Sequence, residues 1–262
     1  MKPAILEGAG NVFAVATSAE LAGRPGAELA RAWCAERRLD GLLEVRPPAR
    51  GGDVAMVIWN ADGSRAEACG NGLRCVALFA RERGLAAADR LRVETDGGTR
   101  AVELLRRGGA VVGARASLGR ARIVEREAEI ALAGGAPLCA VLVDVANPHC
   151  VVFVAQGELG RITALGPLLA RHPRFSAGTN VELAAPGPGA GRFTARVFER
   201  GVGETAACGT GAAAIAVAAA ETGRGTLPLS VALPGGLLEV DRDREGEVWL
   251  TGPVAHGQEI GA

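Results

Sequence analysis

Short runs of apolar residues, many of them alternating with polar ones, recur along most of the chain and predict β-strands. These runs are FAVAT (13–17), LLEV (42–45), VAMVIW (54–59), LRVET (91–95), AVELL (101–105), CAVLVDV (139–145), CVVFVA (150–155), RFTARVF (192–198), LLEV (237–240) and VWLT (248–251). Gly, Pro and Asp residues separate them, as is typical of turns. Longer segments with helical spacing predict four helices at about 26–38, 72–83, 161–171 and 209–221.

The fourth predicted helix, GTGAAAIAVAAAE (209–221), is apolar on nearly all of its faces. A helix with that pattern is buried on every side rather than lying on a surface. A sheet that wraps around one central helix would bury it in this way. Because strands outnumber helices in both halves of the chain, the pattern predicts an α+β fold with many strands and two helices in each half.

The chain contains an internal repeat. CGNGLRCVALFA (69–80) and CGTGAAAIAVAA (208–219) each combine a cysteine, a glycine-rich turn and an apolar run, and their first cysteines are 139 residues apart (208 minus 69). Asn60 and Glu199 each precede their cysteine by nine residues, and a glycine pair follows each cysteine at nearly equal distance. The 262 residues therefore predict two duplicated domains rather than a solenoid of short units.

Each repeated cysteine directly precedes a predicted helix. The N-terminal end of a helix carries a partial positive charge, which lowers the pKa of a thiol there and favours the thiolate. The first backbone N–H groups of a helix have no partner within it, so they can bind a carboxylate. We therefore expect Cys69 and Cys208 each to combine an acid–base thiol with an anion site.

Two such thiols suit one class of reaction if they reach opposite faces of one carbon. A thiolate removes the α-proton of an amino acid and the opposite thiol returns a proton to the other face, which inverts the stereocentre without a cofactor. The helix ends would stabilise charge that develops on the substrate carboxylate. One cysteine must start as the thiolate and the other as the thiol, because two equivalent thiolates repel each other.

Composition narrows the functional classes. The 29 basic and 29 acidic residues balance, which argues against nucleic acid or an acidic membrane surface as a partner. We expect a cytoplasmic protein, because the sequence contains neither an apolar stretch of membrane-spanning length nor a cleavable secretory signal. The only lysine, Lys2, is a poor candidate for the Schiff base of pyridoxal chemistry, and three histidines argue against a zinc site. We therefore expect no cofactor and no metal.

The other cysteines predict no chemistry of their own. Six cysteines without the close spacing of a small disulfide-rich protein are expected to be free thiols in a reducing compartment. We expect the four outside the repeated positions to lie in the core; they are Cys34, Cys75, Cys139 and Cys150.

Six motifs together carry a resemblance to a known family. They are GAGNVF (8–13), WNADGSRAEACGNGLRC (59–75), NPH (147–149), GTNVE (178–182), FERGVGETAACGTG (198–211) and LTGPV (250–254). With these motifs, essentially the whole chain resembles diaminopimelate epimerase, a cofactor-independent two-cysteine enzyme of lysine and peptidoglycan precursor synthesis. The resemblance implies two pseudo-symmetric domains, each a curved, mostly antiparallel sheet around a central helix, with the active site between them. The halves would be 1–116 with a return strand at 252–262, and 117–251.

The resemblance also implies roles for single residues. Cys69 and Cys208 would be the acid–base pair, and Glu199 and His149 would position the reacting amine and assist catalysis. The reacting carboxylate would bind to the backbone N–H groups of Gly70, Asn71, Gly209 and Thr210. The remainder of a diamino-dicarboxylate substrate would contact Asn11, Asn60, Asn147, Asn180 and Arg200, since arginine is a suitable bidentate partner for a carboxylate. The family further implies a homodimer.

Two departures from the family pattern lie in the N-terminal half. Val12 stands where the family has aspartate, and ERRLDGLL (36–43) keeps only Asp40 and Gly41 of a glycine-rich stretch. These departures leave open a racemase of another amino acid, such as histidine or proline. A thiol–disulfide redox protein and a non-catalytic ligand-binding protein are alternatives from other classes, whereas GxG segments outside a βαβ unit point only weakly to nucleotide binding. Because the residues implied to contact the distal end are all present, diaminopimelate is the preferred substrate.

Overall fold

The computed structural model describes residues 2–66, 69–132 and 136–257. The α-helices in these ranges are α1 (Gly26–Arg37), α2 (Gly70–Glu82), α3 (Ile162–Ala170) and α4 (Gly209–Glu221), and a 3-10 helix at Gln156–Arg161 precedes α3. The strands in the same ranges, in chain order, are β1 (Ala4–Gly8), β2 (Asn11–Thr17), β3 (Gly41–Arg46), β4 (Val54–Asn60), β5 (Arg65–Ala66), β6 (Arg90–Thr95), β7 (Gly98–Arg107), β8 (Ala110–Arg120), β9 (Arg122–Ile130), β10 (Leu138–Asp144), β11 (Pro148–Phe153), β12 (Asn180–Pro186), β13 (Arg192–Glu199), β14 (Gly203–Thr205), β15 (Leu229–Leu233), β16 (Gly236–Arg242), β17 (Glu247–Gly252) and β18 (Ala255–His256).

The predicted strands and helices are confirmed. Each of the ten predicted apolar runs overlaps a strand, and each predicted helix begins and ends within two residues of an observed one. The pattern did not predict the remaining strands, which are β1, β5, β8, β9, β12, β14, β15 and β18.

The chain forms two compact units. Unit 1 consists of Met1–Ser117 and Thr251–Ala262, and unit 2 of Leu118–Leu250. The chain passes from unit 1 to unit 2 within β8 and returns within β17. The two domains expected from the sequence, 1–116 with 252–262 and 117–251, remain a prediction.

The strands of the two units pair in the same order. In unit 1 the order is β18–β1–β2–β3–β4–β6–β7–β8, with β5 also on β4, and only β2–β3 and β4–β6 are parallel among these pairs. In unit 2 the order is β9–β10–β11–β12–β13–β15–β16, with β14 also on β13, and here β11–β12 and β13–β15 are the parallel pairs. The predicted α+β class with mostly antiparallel sheets is thus confirmed.

One helix in each unit is surrounded by strands. In unit 1, α2 packs against β1, β2, β3, β4, β6 and β7; in unit 2, α4 packs against β9, β10, β11, β12, β15 and β16. All residues of Gly70–Ala80 and of Gly209–Ala219 are buried, which confirms the prediction for α4. None of the described helices has the length and apolar character needed to span a bilayer.

The cysteines include one exception to the predicted core. All six are free thiols, and Cys34, Cys75 and Cys150 are buried as predicted, but Cys139 is exposed. Cys139 lies near the start of β10, opposite Glu129 of β9, which is exposed as well. Because successive side chains of a strand point to opposite faces, Cys139 faces outward while Ala140 enters the core. The prediction that Cys139 is a core residue was wrong.

Candidate active site

Tight turns place the two predicted substrate-binding asparagines Asn11 and Asn147. Ala9 and Gly10 form the two-residue turn between β1 and β2, with φ angles of 52° and 87°. Such turns require positive φ at both positions, which glycine adopts freely and alanine only with strain. Ala146, at φ 61°, directly precedes Asn147 in the turn between β10 and β11. In both units, therefore, a strained turn presents an asparagine at or just before the start of a strand.

In unit 1, Cys69 begins the central helix. It is the N-cap residue of α2, and its Sγ accepts a hydrogen bond from the Gly72 N–H at 3.2 Å. An added Cβ at Gly72 would lie 3.1 Å from the Leu43 side chain and 3.2 Å from the sulfur, so glycine keeps this turn close to its neighbours. The N–H groups of Gly70 and Asn71 belong to the same first turn, where a bound carboxylate can satisfy them.

A chain of hydrogen bonds orients the asparagines of unit 1. The Arg74 Nη2 donates to Asn71 Oδ1 at 2.8 Å, and the Asn71 Nδ2 donates to Asn11 Oδ1 at 2.6 Å. The Val12 N–H, at the first of the two departures, donates to the Asp40 carboxylate at 2.7 Å. The structure therefore brings Asn11 and Asn71 together at the start of α2.

Asn60 is held in the turn between β4 and β5. Its Nδ2 donates to the Ser64 hydroxyl at 2.9 Å, and its backbone N–H donates to the Ser64 carbonyl. No described residue donates to its Oδ1. Asn60 thus stabilises its own turn.

In unit 2, Cys208 is the N-cap residue of α4, but its sulfur makes different contacts. The buried Cys208 thiol donates to Glu199 Oε2 at 3.3 Å and lies 3.5 Å from the Thr210 hydroxyl. Burial raises the pKa of Cys208 well above its ordinary value, and the Glu199 and Glu182 carboxylates raise it further. The prediction of a lowered pKa was therefore wrong for Cys208, because burial and two carboxylates outweigh the helix end.

Glu199 links the cysteine to the adjoining strand. Its Oε1 accepts a hydrogen bond from the Thr205 hydroxyl at 2.7 Å, while its Oε2 faces Cys208. Burial raises the pKa of Glu199. A carboxyl group with a raised pKa in contact with a thiol is suited to exchange a proton with it.

His149 and Glu182 form a fully buried pair behind Cys208. Both side chains are 0% exposed, and His149 Nδ1 lies 2.7 Å from Glu182 Oε1. His149 Nε2 lies 2.8 Å from Asn147 Oδ1. The other carboxylate oxygen of Glu182 is buried and has no hydrogen-bond partner among the described residues. Glu182 is not among the residues predicted from the sequence, although an acid among the apolar residues of NVELAAP (180–186) is a signal of a special role.

Asn180 supports Arg200. The buried Asn180 donates from Nδ2 to the Pro148 carbonyl at 3.0 Å and accepts the Arg200 backbone N–H at 2.9 Å. The Arg200 side chain is exposed, with its Nη1 donating to the Ala177 carbonyl at 3.0 Å. Asn180 therefore fixes the backbone from which the guanidinium extends.

The fold and these sites define a class of protein. The fold is shared by a probable proline racemase from Agrobacterium radiobacter, at 18% identity and a TM-score of 0.74, with 99% of this chain and 92% of that chain covered. A phenazine biosynthesis protein of the PhzF family from Bacillus anthracis has the same fold, at 16% identity and a TM-score of 0.76 with 98% of both chains covered. The chain therefore has the fold of these two proteins, with a cysteine at the start of each central helix.

Sequence similarity identifies the family within this class. The family model for diaminopimelate epimerase matches residues 4–137 and 141–257, and the chain belongs to that family. A diaminopimelate epimerase from Desulforudis audaxviator is 42% identical over 270 residues, covering 95% of this chain and 94% of that protein.

Proposed function

We propose that this chain interconverts LL-2,6-diaminopimelate and meso-diaminopimelate without a cofactor, with Cys69 and Cys208 as the two acid–base groups. The observation that carries the proposal is that each unit presents a cysteine as the N-cap residue of its buried central helix. The relative from Desulforudis audaxviator is named diaminopimelate epimerase, and the match covers 94% of that protein. This similarity supports the choice of substrate.

The proposed reaction exchanges protons on opposite faces of one α-carbon. One cysteine, as thiolate, takes the α-proton, and the electron pair of the C–H bond moves onto the substrate. The other cysteine, as thiol, delivers its proton to the opposite face and becomes the thiolate. The reverse reaction uses the same two groups with their roles exchanged. The proposal requires both sulfurs to reach this one carbon.

The reacting carboxylate is proposed to bind to the backbone N–H groups of Gly70, Asn71, Gly209 and Thr210. Each pair of N–H groups lies in the first turn of a helix, where the partial positive charge favours an anion. Negative charge spreads onto this carboxylate as the α-proton leaves, so the same groups stabilise the transition state more than the bound substrate.

The rest of the substrate is proposed to contact amide and guanidinium groups. Arg200, which is exposed and uses Nη1 for the Ala177 carbonyl, keeps further N–H groups for the far carboxylate. Amide oxygens of the asparagines can accept from the ammonium groups; the proposed residues are Asn11, Asn60, Asn147 and Asn180. His149 and Glu199 are proposed to position the reacting amine.

We also expect the chain to act as a homodimer in the cytoplasm. The homodimer is what the family resemblance implies, and the cytoplasmic location is the expectation drawn from the sequence composition. Light scattering on the eluting protein measures the mass of the particle, and a mass twice that of the 26.6 kDa chain is the expected result. If the protein is a monomer and still epimerises diaminopimelate, the homodimer is refuted and the proposed reaction is not.

The test of the proposed function is incubation of the purified protein with LL-diaminopimelate, L-proline or L-histidine, followed by chiral chromatography. We expect meso-diaminopimelate from the first and no inversion of the other two. Inversion of proline or histidine without diaminopimelate turnover would favour the racemase alternative. Activity that appears only after the cysteines have been oxidised would favour a redox protein.

A further inference from the structure

Because the two units repeat one fold, equivalent positions can be compared. Gly72 and Gly211 each stand three residues after their cysteine. An added Cβ at Gly72 would lie 3.1 Å from Leu43, whereas one at Gly211 would lie 3.0 Å from Glu182 Oε1. Leu43 and Glu182 thus occupy equivalent places beside the first turn of the central helix, one apolar and the other a buried carboxylate.

The strand register supports the same equivalence. Phe13 pairs with Gly41 in the parallel pair β2–β3, and Leu43 lies two residues after Gly41. His149 pairs with Asn180 in the parallel pair β11–β12, and Glu182 lies two residues after Asn180. The buried His149–Glu182 pair of unit 2 therefore replaces two apolar residues of unit 1.

Two carboxylates face the thiol of unit 2. Glu199 of β13 accepts its hydrogen bond, and Glu182 of β12 lies against the first turn of the helix. Other titratable groups near this cluster include His149 of β11, which contacts Glu182, the buried Cys150 of β11, and Arg174, which is paired with Glu125. Negative charge beside a thiol favours its protonated form.

A buried cation, the Arg74 guanidinium, interacts electrostatically with the thiol of unit 1. Arg74 stands five residues after Cys69, whereas Ala213 occupies that place after Cys208. The Arg74 side chain is fully buried and donates to the Gly70 and Pro253 carbonyls and to Asn71 Oδ1. No carboxylate among the described residues pairs with it.

Among the described residues of unit 1, Cys69 is a group that can supply negative charge to Arg74. Of the two thiols that interact with the Arg74 guanidinium, Cys75 is fully buried, and this burial raises its pKa to about 12, so it stays neutral. Glu7 of β1, a carboxylate that interacts with Cys75, is exposed, and a chain of hydrogen bonds through Asn71 and Asn11 separates Arg74 from Asp40. A buried cation is costly unless an anion compensates it.

We propose that Arg74 and Glu182 are positioning residues that give the two cysteines opposite resting states, Cys69 as the thiolate and Cys208 as the thiol. The hydrogen bonds of the sulfurs agree with this assignment. The Gly72 N–H favours the thiolate of Cys69 and the Gly211 N–H that of Cys208, but Cys208 Sγ also lies 3.3 Å from Glu199 Oε2, and a carboxylate beside the sulfur favours the thiol. For catalysis, this inference rests on the proposed function. In that reaction, a resting enzyme transfers the first α-proton from the substrate to Cys69.

The test is the pH dependence of alkylation at each cysteine in the full-length protein, without substrate. Iodoacetamide modifies the thiolate, and mass spectrometry of peptides separates Cys69 from Cys208. We expect the pH midpoint of Cys69 alkylation to lie about two pH units or more below that of Cys208. Midpoints within about half a unit of each other would overturn the proposal without any variant.

Variants assign the effect to the two residues. Arg74→Met should raise the midpoint of Cys69 by about one pH unit or more, and Arg74→Lys, which keeps the cation, should leave it near the wild-type value. Glu182→Gln should lower the midpoint of Cys208 and leave that of Cys69 unchanged. Arg81→Met on the same helix and the exposed Glu239→Gln are the matched controls and should move neither.

The outcomes separate this inference from the proposed function. Since alkylation needs no substrate, separated midpoints in a protein that does not epimerise diaminopimelate would refute only the proposed function. Epimerisation with equal midpoints would refute only the inference. If Arg74→Met does not fold, Glu182→Gln and the wild-type comparison still decide it, and a Cys208 midpoint unmoved in Glu182→Gln would remove Glu182 from the assignment.

Discussion

Single cysteines in this chain differ in their surroundings more than in their sequence context. Cys75 and Cys150 are buried, and burial raises the pKa of both thiols far above the neutral range. Cys69 is half-buried, with a backbone N–H on its sulfur, and Cys208 contacts a carboxylate. Among the described residues, Cys69 and Cys208 are thiols whose sulfur makes a hydrogen bond.

The proposed roles predict a large and selective loss of activity. Cys69→Ser and Cys208→Ser should each lower the rate of epimerisation by about a hundredfold or more, because a positioned acid–base group contributes about 10²–10⁴-fold. Steady-state kinetics with LL-diaminopimelate measure this loss. Cys139→Ser, at an exposed cysteine, should retain the wild-type rate. Wild-type rates in either of the first two variants would exclude that cysteine from the chemistry.

The raised pKa of Glu199 predicts that the free energy of unfolding depends on pH. Burial raises the pKa of Glu199 above its ordinary 4.5, so the folded state keeps this proton to a higher pH than the unfolded state does. The contribution of this group to stability is present below the ordinary pKa and is lost as the pH rises through the raised value. Glu199→Gln lacks this loss, so its stability relative to wild type should increase between about pH 4 and about pH 8.

Urea denaturation at both pH values measures this difference, with Glu239→Gln as an exposed control. A relative stability of Glu199→Gln that stays constant, or that falls as the pH rises, would contradict the assigned direction.

The limits of sequence-based prediction at this scale have physical causes. The positions of Cys69 and Cys208 at helix starts follow from local spacing, which the sequence contains. The pKa of Cys208 depends on Glu182 and Glu199, which the fold brings beside it from other strands. The exposure of Cys139 depends on which face of β10 is covered, and this is decided by packing rather than by the apolar run itself.

Among the elements, α4 shows how far an apolar pattern can determine structure. Its residues Gly209–Ala219 are all buried, and most of them are alanine or glycine, which lets strands approach the helix closely. The apolar pattern of the sequence predicted a helix at 209–221, and α4 begins and ends at these residues.

The same close packing predicts that α4 tolerates no larger side chain in its middle. Ala216→Leu should lower the free energy of unfolding by about 1–3 kcal/mol, because overpacking a filled core forces neighbouring groups to move. The matched control is Ala220→Leu at the half-buried end of the helix, which should cost less. Denaturant titration measures both, and an equal cost at the two positions would contradict the proposed tightness.

The strands that the pattern did not predict carry weaker signals. In β9, RIVEREAEI places charged residues at most positions and only Ala128 and Ile130 are buried. The strands β5 and β18 contain two residues each, which are too few to show an alternation of apolar and polar positions. Such strands form because a neighbouring strand offers hydrogen bonds, which is a property of the sheet rather than of the segment.

At the scale of the whole molecule, the two units share one arrangement of strands and helices. The same order of strand pairs and helices appears in both units, so equivalent positions in the two units can be compared directly. The halves have nevertheless diverged in charge: unit 2 has Glu182 and Glu199 where unit 1 has Leu43 and Asn60, and Arg74 has no counterpart in unit 2. A symmetric fold thus holds two chemically different thiols.

The central claim is that an α-proton leaves to a cysteine and is replaced from a group that exchanges with solvent. Turnover of LL-diaminopimelate in deuterated water, followed by mass spectrometry and NMR of the meso product, tests it most directly. The two-cysteine mechanism predicts deuterium at the inverted α-carbon of every product molecule. A meso product without deuterium at that carbon would contradict it.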